Sequence, residues 1–161
     1  MIQSSGVLFL TSDTNRYLFL LRNGNRHQNT WGLVGGKVEK DESPWEAVQR
    51  EIHEEIGYHA LIDLHDPESP GFLDLDITDY NGPILEKIIP VEMFTSEDKK
   101  FEYHTYVYVI QKEFIPQLNH EHKGYAWTEL DSWPKPLHPG LFNTLNLSII
   151  QNKLKTIEQT I

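Results

Sequence analysis

The stretch GKVEKDESPWEAVQREIHEEIGY, Gly36–Tyr58, decides the reading of the whole chain. Ser43-Pro44-Trp45-Glu46 carries three helix-start signals together: a serine N-cap, proline at the first helical position and a glutamate placed to close a capping box. Trp45, Val48, Ile52 and Ile56 follow at steps of three and four, which makes one apolar stripe, and Gly57 supplies a left-handed C-terminal residue. The spacing predicts a helix over Pro44–Ile56. At 100° per residue, Glu51, Glu54 and Glu55 share one edge, about 100° from the apolar stripe and read as facing solvent. Like charges at these spacings destabilise a bare helix by about 0.2–0.5 kcal/mol per pair, so the edge is unfavourable unless a cation sits among the carboxylates. A hard divalent cation such as Mg²⁺ or Mn²⁺ takes oxygen ligands and suits it.

Upstream, Val7–Leu10 and Tyr17–Leu21 are apolar runs separated by Ser12–Asn15, a hairpin pattern. Residues 22–29 are polar loop. Trp31–Val38 is interrupted by glycines, and Gly35-Gly36 implies a close backbone approach. Downstream, residues 63–83 read as a long acidic connection with a short strand near Phe72–Ile77. Ile84–Phe94 and Phe101–Lys112 flank a polar turn as a second hairpin, and Tyr125–Thr128 is a short strand. Leu141–Ile157 has helical spacing and closes the chain. The 161 residues, 39% hydrophobic and without an internal repeat, fit one domain over 1–161.

Composition excludes several classes of function. With no cysteine there is no disulfide framework, thiolate nucleophile or cysteine metal site. Fourteen basic against 24 acidic residues, a formal charge of −10, argue against nucleic acid as partner. No apolar run approaches the roughly 20 residues of a membrane span, so no membrane partner is expected and the cytoplasm is the default location.

The order Gly36, five residues, Glu42, seven residues, Arg50-Glu51-Ile52, one residue, Glu54-Glu55, one residue, Gly57 resembles the Nudix box. At about 5–7% usage of each key residue type, chance produces it at one start point with a probability on the order of 10⁻⁹. The order of elements around it is also similar to a Nudix hydrolase domain. Two positions depart from the pattern: Tyr58 replaces an aliphatic residue, and Val34 stands where proline often precedes the glycines. The resemblance implies an α+β, α/β/α-sandwich fold, with a central mixed sheet flanked by the box helix and a C-terminal helix. It also implies Mg²⁺- or Mn²⁺-dependent hydrolysis of a nucleoside diphosphate linked to another moiety, giving a nucleoside monophosphate. Nucleoside triphosphates are the favoured small-molecule substrates; dinucleoside polyphosphates, ADP-ribose and nucleotide sugars are alternatives, and a homodimer is left open.

On that reading Glu51, Glu54, Glu55 and the Gly35 carbonyl are the metal ligands, with Glu54 doubling as a base. Arg50, between Glu46 and Glu54 at four-residue spacings, orients the carboxylates, while Gly36, Glu42 and Gly57 support the loop and helix. Asn119-His120-Glu121-His122 resembles the place where many family members carry a further carboxylate, which makes Glu121 a catalytic candidate, with Glu102 next in line. His120 and His122 look like a metal pair, but they read as solvated loop residues because hard cations prefer oxygen. Arg22 and Arg26 are candidates for substrate phosphates, and Trp31 and Trp127 for the core. A silent binding module is disfavoured by the full set of carboxylates, and an isopentenyl diphosphate isomerase by the absence of cysteine.

Overall fold

The computed structural model describes residues 1–58, 73 and 84–161. Strand β1, Ile2–Thr11, turns through Ser12–Arg16 into β2, Tyr17–Arg22, with Leu10 opposite Tyr17 as a hairpin requires. The short strands β3, Trp31–Gly32, and β4, Val34–Lys37, then pair with β2 and β1 respectively. Helix α1 occupies Pro44–Ile56. Both halves of the capping box at Ser43 and Glu46 are formed, and Gly57 closes the helix at φ 68°.

After the segment outside the described residues come β5, Ile88–Thr95, and β6, Phe101–Ile110, an antiparallel pair with a bulge between Pro90 and Glu92. Strand β7, His122–Thr128, pairs with β2, and helices α2, Pro139–Leu145, and α3, Ser148–Thr160, end the chain. The sheet runs β3-β2-β1-β6-β5, with β4 against β1 and β7 against β2; β1 and β6 are parallel, so the sheet is mixed.

Both faces of the sheet are covered. On β1, Val7 and Phe9 meet Val48, Ile52 and Ile56 of α1, whereas Leu8 and Leu10 join Leu145, Leu154 and Ile157 of the C-terminal helices. Two-sided burial accounts for the unbroken apolar run Val7–Leu10, which has no polar alternation. Tyr58 fills an apolar slot against Phe9, Tyr108 and Phe114. Trp31 packs on the C-terminal-helix core and Trp127 on the α1 core.

Two expectations are corrected. The single helix expected over Leu141–Ile157 is two, because Leu147 is extended at φ −72°, ψ 130° and Asn146 Nδ2 donates back to the Phe142 carbonyl at 2.7 Å. The break turns α3 so that Ile150, Leu154 and Ile157 face the sheet. The last sheet strand starts at His122 rather than Tyr125. The strand expected near Phe72–Ile77 lies outside the described residues apart from Leu73, a buried residue whose amide donates to the Ile88 carbonyl at 2.9 Å. Among the described residues no helix is long and apolar enough to cross a membrane.

Candidate active site

Along α1 the three carboxylates have different surroundings, which corrects the expectation of a common solvent-facing edge. Glu55 is 1% exposed and Glu51 8%, while the Glu54 side chain is 53% exposed. The cause is the glycine pair. Gly35 and Gly6 face each other across β4 and β1, and a Cβ on Gly35 would collide with the Ser5 carbonyl and the Gly6 backbone, so only glycine permits that approach. A Cβ on Gly36 would stand 2.5 Å from Glu51 Oε1. The helix therefore lies directly on glycine backbone, and its carboxylate edge is closed over by the strand.

Arg50 organises this edge. Its Nε and Nη2 donate to the two Glu42 oxygens at 2.9 and 3.1 Å, its Nη1 to Glu51 at 2.8 Å and Glu54 at 3.3 Å, and Nη2 also to the Lys37 carbonyl at 2.9 Å. The two-pronged contact holds the Glu42 carboxyl below the usual carboxylate range. Glu46, expected as a second partner, has its carboxylate in the capping box. Glu42 also accepts the Glu39 amide, tying the loop from the glycines to the helix.

The loop before β7 is fastened to the end of α1. Gln117 donates its amide to the Ile56 carbonyl at 3.0 Å, and Asn119 Nδ2 donates to the Glu54 carbonyl at 3.2 Å, two groups that the helix end leaves without intrahelical partners. Asn23 donates its amide to the Glu121 carbonyl at 2.9 Å, and Asn119 Oδ1 accepts the Glu121 amide at 2.9 Å. Glu121 is thus placed from both sides. One ligand atom each from Glu55, Glu121 and His122 lies within 4.8 Å of the others, the convergent acidic group among the described residues.

His122 was read as solvated and is instead 7% exposed. Even-numbered β2 residues Leu18 and Leu20 face α1, and beyond Leu21, which pairs with Gly124, a bulge sets Arg22 opposite His122. That extra residue turns the His122 ring toward α1, a use of bulges common beside functional sites. His122 Nδ1 stands 3.6 Å from Glu55 Oε2. Burial first, then the Glu51 and Glu121 carboxylates, push the Glu55 acid up to about 10. Burial and the Arg22 charge hold the His122 imidazole down to about 4. Both groups are therefore neutral at pH 7, and their approach is not an ion pair. Neither Glu55 oxygen nor His122 Nδ1 completes a hydrogen bond of good geometry among the described residues, although the Glu51 carboxyl and the Gly35 backbone act on Glu55.

Orphaned buried polar atoms are rare because each costs about 1–3 kcal/mol. Three that converge suit a cation as their common partner. Oxygen donors with a nitrogen donor suit a divalent metal, so the residues fit the ion that the box implies.

Arg22 stands opposite His122 in the β2–β7 pair. Its Nε donates to the Arg26 carbonyl at 3.4 Å, and its charge acts on His122, Tyr103 and His138. Arg26 is exposed and also acts on His138. The His27 and His138 rings are 4.3 Å apart, and burial, then His27 and the two arginines, hold His138 down to about 4. This positive locus beside a carboxylate cluster is what a phosphate chain bridging metal and protein requires. Residue patterns passed over Tyr103 and His138, and set His122 aside as solvated although its place next to Glu121 was a signal. His120 is exposed, as expected, and Glu102 is engaged by Gln3 at 2.9 Å and His104 at 3.3 Å.

The NUDIX domain family profile matches residues 2–147. The dihydroneopterin triphosphate diphosphatase of Haemophilus influenzae is 31% identical over 127 residues, 78% of this chain and 72% of that protein. A Nudix hydrolase from M. smegmatis, RenU, superimposes with a TM-score of 0.63 at 18% identity over 99% of this chain and 86% of that one. The E. coli dihydroneopterin triphosphate pyrophosphohydrolase does so at 0.58 and 16%, over 99% and 96%.

Proposed function

Because the chain belongs to the Nudix family, and is therefore a pyrophosphohydrolase of nucleoside diphosphate derivatives, we propose that its substrate is a triphosphate carried by a nucleoside or a related bicyclic heterocycle. Water adds to one phosphorus, the anhydride bond to the next phosphate breaks, and a monophosphate and inorganic pyrophosphate leave. The observation that carries this reading is the convergence of Glu55, Glu121 and His122 beside Arg22. The named relative acts on dihydroneopterin triphosphate, which supports a triphosphate chain and a two-ring base over the larger alternatives.

Glu51, Glu55, Glu121 and the Gly35 carbonyl would hold Mg²⁺ or Mn²⁺, which when bound neutralises phosphate oxygens and acidifies water. Everything else falls to the chain. Arg50 fixes Glu51 and Glu54 in orientation through its contacts at 2.8 and 3.3 Å. Glu54, the exposed acid, reaches bulk water and serves as ligand or base, with Glu121 as the second acid able to take the proton. Arg22 and Arg26 hold the distal phosphates by charge-assisted hydrogen bonds.

The test is a panel of nucleoside triphosphates, dihydroneopterin triphosphate, dinucleoside polyphosphates, ADP-ribose and nucleotide sugars, with products identified and a chelator control. Triphosphates should be cleaved to monophosphate and pyrophosphate, and chelator should abolish turnover. Preference for ADP-ribose, a sugar nucleotide or a dinucleoside polyphosphate would replace the substrate assignment, and turnover in excess chelator would remove the metal.

A further inference from the structure

We infer that His122 is a direct metal ligand through Nδ1, so that the site is a mixed nitrogen–oxygen site that favours Mn²⁺ or Co²⁺ over Mg²⁺. The inference rests on the metal-dependent reading above and adds to it a residue type that the carboxylate pattern of α1 does not contain.

Three observations carry it. His122 Nδ1 is sealed from solvent and completes no hydrogen bond of good geometry among the described residues, and the same holds for both oxygens of Glu55. The nitrogen is 3.6 Å from Glu55 Oε2, too far for a hydrogen bond between them. Yet two ligands about 2.1 Å from one ion stand about 3.0 Å apart when adjacent and about 4.2 Å apart when opposite. The 3.6 Å separation falls between those limits, and one ligand atom from each of Glu55, Glu121 and His122 lies within 4.8 Å of the others. Finally, the ring is aimed by a bulge that opposes His122 to Arg22, while the His122 amide donates to the Asn119 carbonyl at 3.3 Å. A buried ring turned by an irregularity toward an equally orphaned carboxylate is placed to share an ion with it.

The chemistry sets the selectivity. Mg²⁺ dehydrates reluctantly and prefers oxygen, whereas imidazole nitrogen binds more strongly toward the later first-row ions. Coordination by Nδ1 requires the neutral tautomer with its proton on Nε2.

The experiment uses the whole chain loaded with Mn²⁺, read by pulsed electron paramagnetic resonance for nitrogen hyperfine coupling and by calorimetry for affinity. The wild type should bind Mn²⁺ and show a directly bonded ¹⁴N signal. His122→Gln should abolish that signal and weaken Mn²⁺ at least tenfold while changing Mg²⁺ less than threefold. Tight Mn²⁺ binding without nitrogen coupling would overturn the ligand assignment alone, leaving His122 a neighbour of the site. No Mn²⁺ binding would overturn the metal reading of the whole cluster. Because the spectrum of the wild type decides coordination by itself, poor folding of His122→Gln leaves the inference open to refutation, and His122→Asn provides a second removal of the ring. Equal weakening of Mn²⁺ and Mg²⁺ in the variants would overturn the selectivity.

Discussion

Replacing Glu55 by glutamine separates the cost of the site from its use. Glu55 is 1% exposed and its acid is raised from 4.5 to about 10, by burial first and then by Glu51 and Glu121. Folding therefore forces a proton onto a group that is ionised in the unfolded chain at any pH above 4.5. The native state binds more protons than the unfolded state across the window from 4.5 to about 10, so stability falls as pH rises through it. At pH 7.5, three units above the ordinary value, and at about 1.4 kcal/mol per unit, Glu55 costs about 4 kcal/mol. Glutamine has the same shape and no charge to lose. Even with half of that penalty relieved by water penetration and side-chain rotation, about 2 kcal/mol remains, which for a chain of this length raises the melting temperature by about 4–8 °C. The assay is thermal unfolding of Glu55→Gln and wild type in chelator at pH 7.5 and pH 5, and again in excess Mn²⁺ at pH 7.5. In chelator the variant should melt higher at pH 7.5, and the gap should nearly vanish at pH 5. In Mn²⁺ the order should reverse, because at a hundredfold excess over Kd the ion stabilises only the chain that binds it, by about 2.7 kcal/mol. Turnover should be lost throughout. A variant that melts below wild type in chelator at pH 7.5, or a gap that does not shrink toward pH 5, would refute the claim that Glu55 is a buried acid held for a cation.

Further outcomes follow from neighbouring contacts. Gly36→Ala places a Cβ 2.5 Å from Glu51 Oε1, and since Arg50 holds that carboxylate at 2.8 Å the ligand must shift; kcat/KM in steady-state assays should fall by about 10²-fold. Glu121→Gln should lower kcat by about 10²–10⁴-fold with KM within a few-fold of wild type, because its backbone is already fixed by Asn23 and Asn119; a change confined to KM would assign it to substrate binding instead. Arg22→Ala should raise KM for a triphosphate by about 10–100-fold with little loss of kcat, measured against the same substrate series. An unchanged KM would remove Arg22 from the phosphate path.

How much was legible in the sequence depends on the range of the interaction concerned. The limits of α1, its capping box and its glycine C-cap were readable to the residue, because a helix end is decided by groups three or four positions apart. Both hairpins were readable for the same reason, as was the reach of Arg50 to Glu54 four residues on, although its choice of Glu42 over Glu46 depended on the fold of the intervening loop. The break at Asn146-Leu147 was not readable. The apolar spacing continues across it, and the turn serves packing of α3 on a sheet assembled from distant strands.

The carboxylates mark the boundary between the two kinds of information. Residue types and spacing on α1 determined that three carboxylates share one edge, a local cost wherever the helix lies that a cation would offset. Which of them is buried was decided by the meeting of Gly35 with Gly6 and of Gly36 with Glu51, contacts between segments that periodicity cannot relate. His122 shows the same limit more sharply. Nothing in its neighbourhood distinguishes it from the exposed His120; the bulge opposite Arg22 and the fastening of the loop to the end of α1 bring its ring to Glu55. Sequence alone determined the helix and its charge, because those are set by near neighbours along the chain. Only the tertiary structure decided which atoms face one another without water, because desolvation belongs to surfaces that exist only once distant segments have packed.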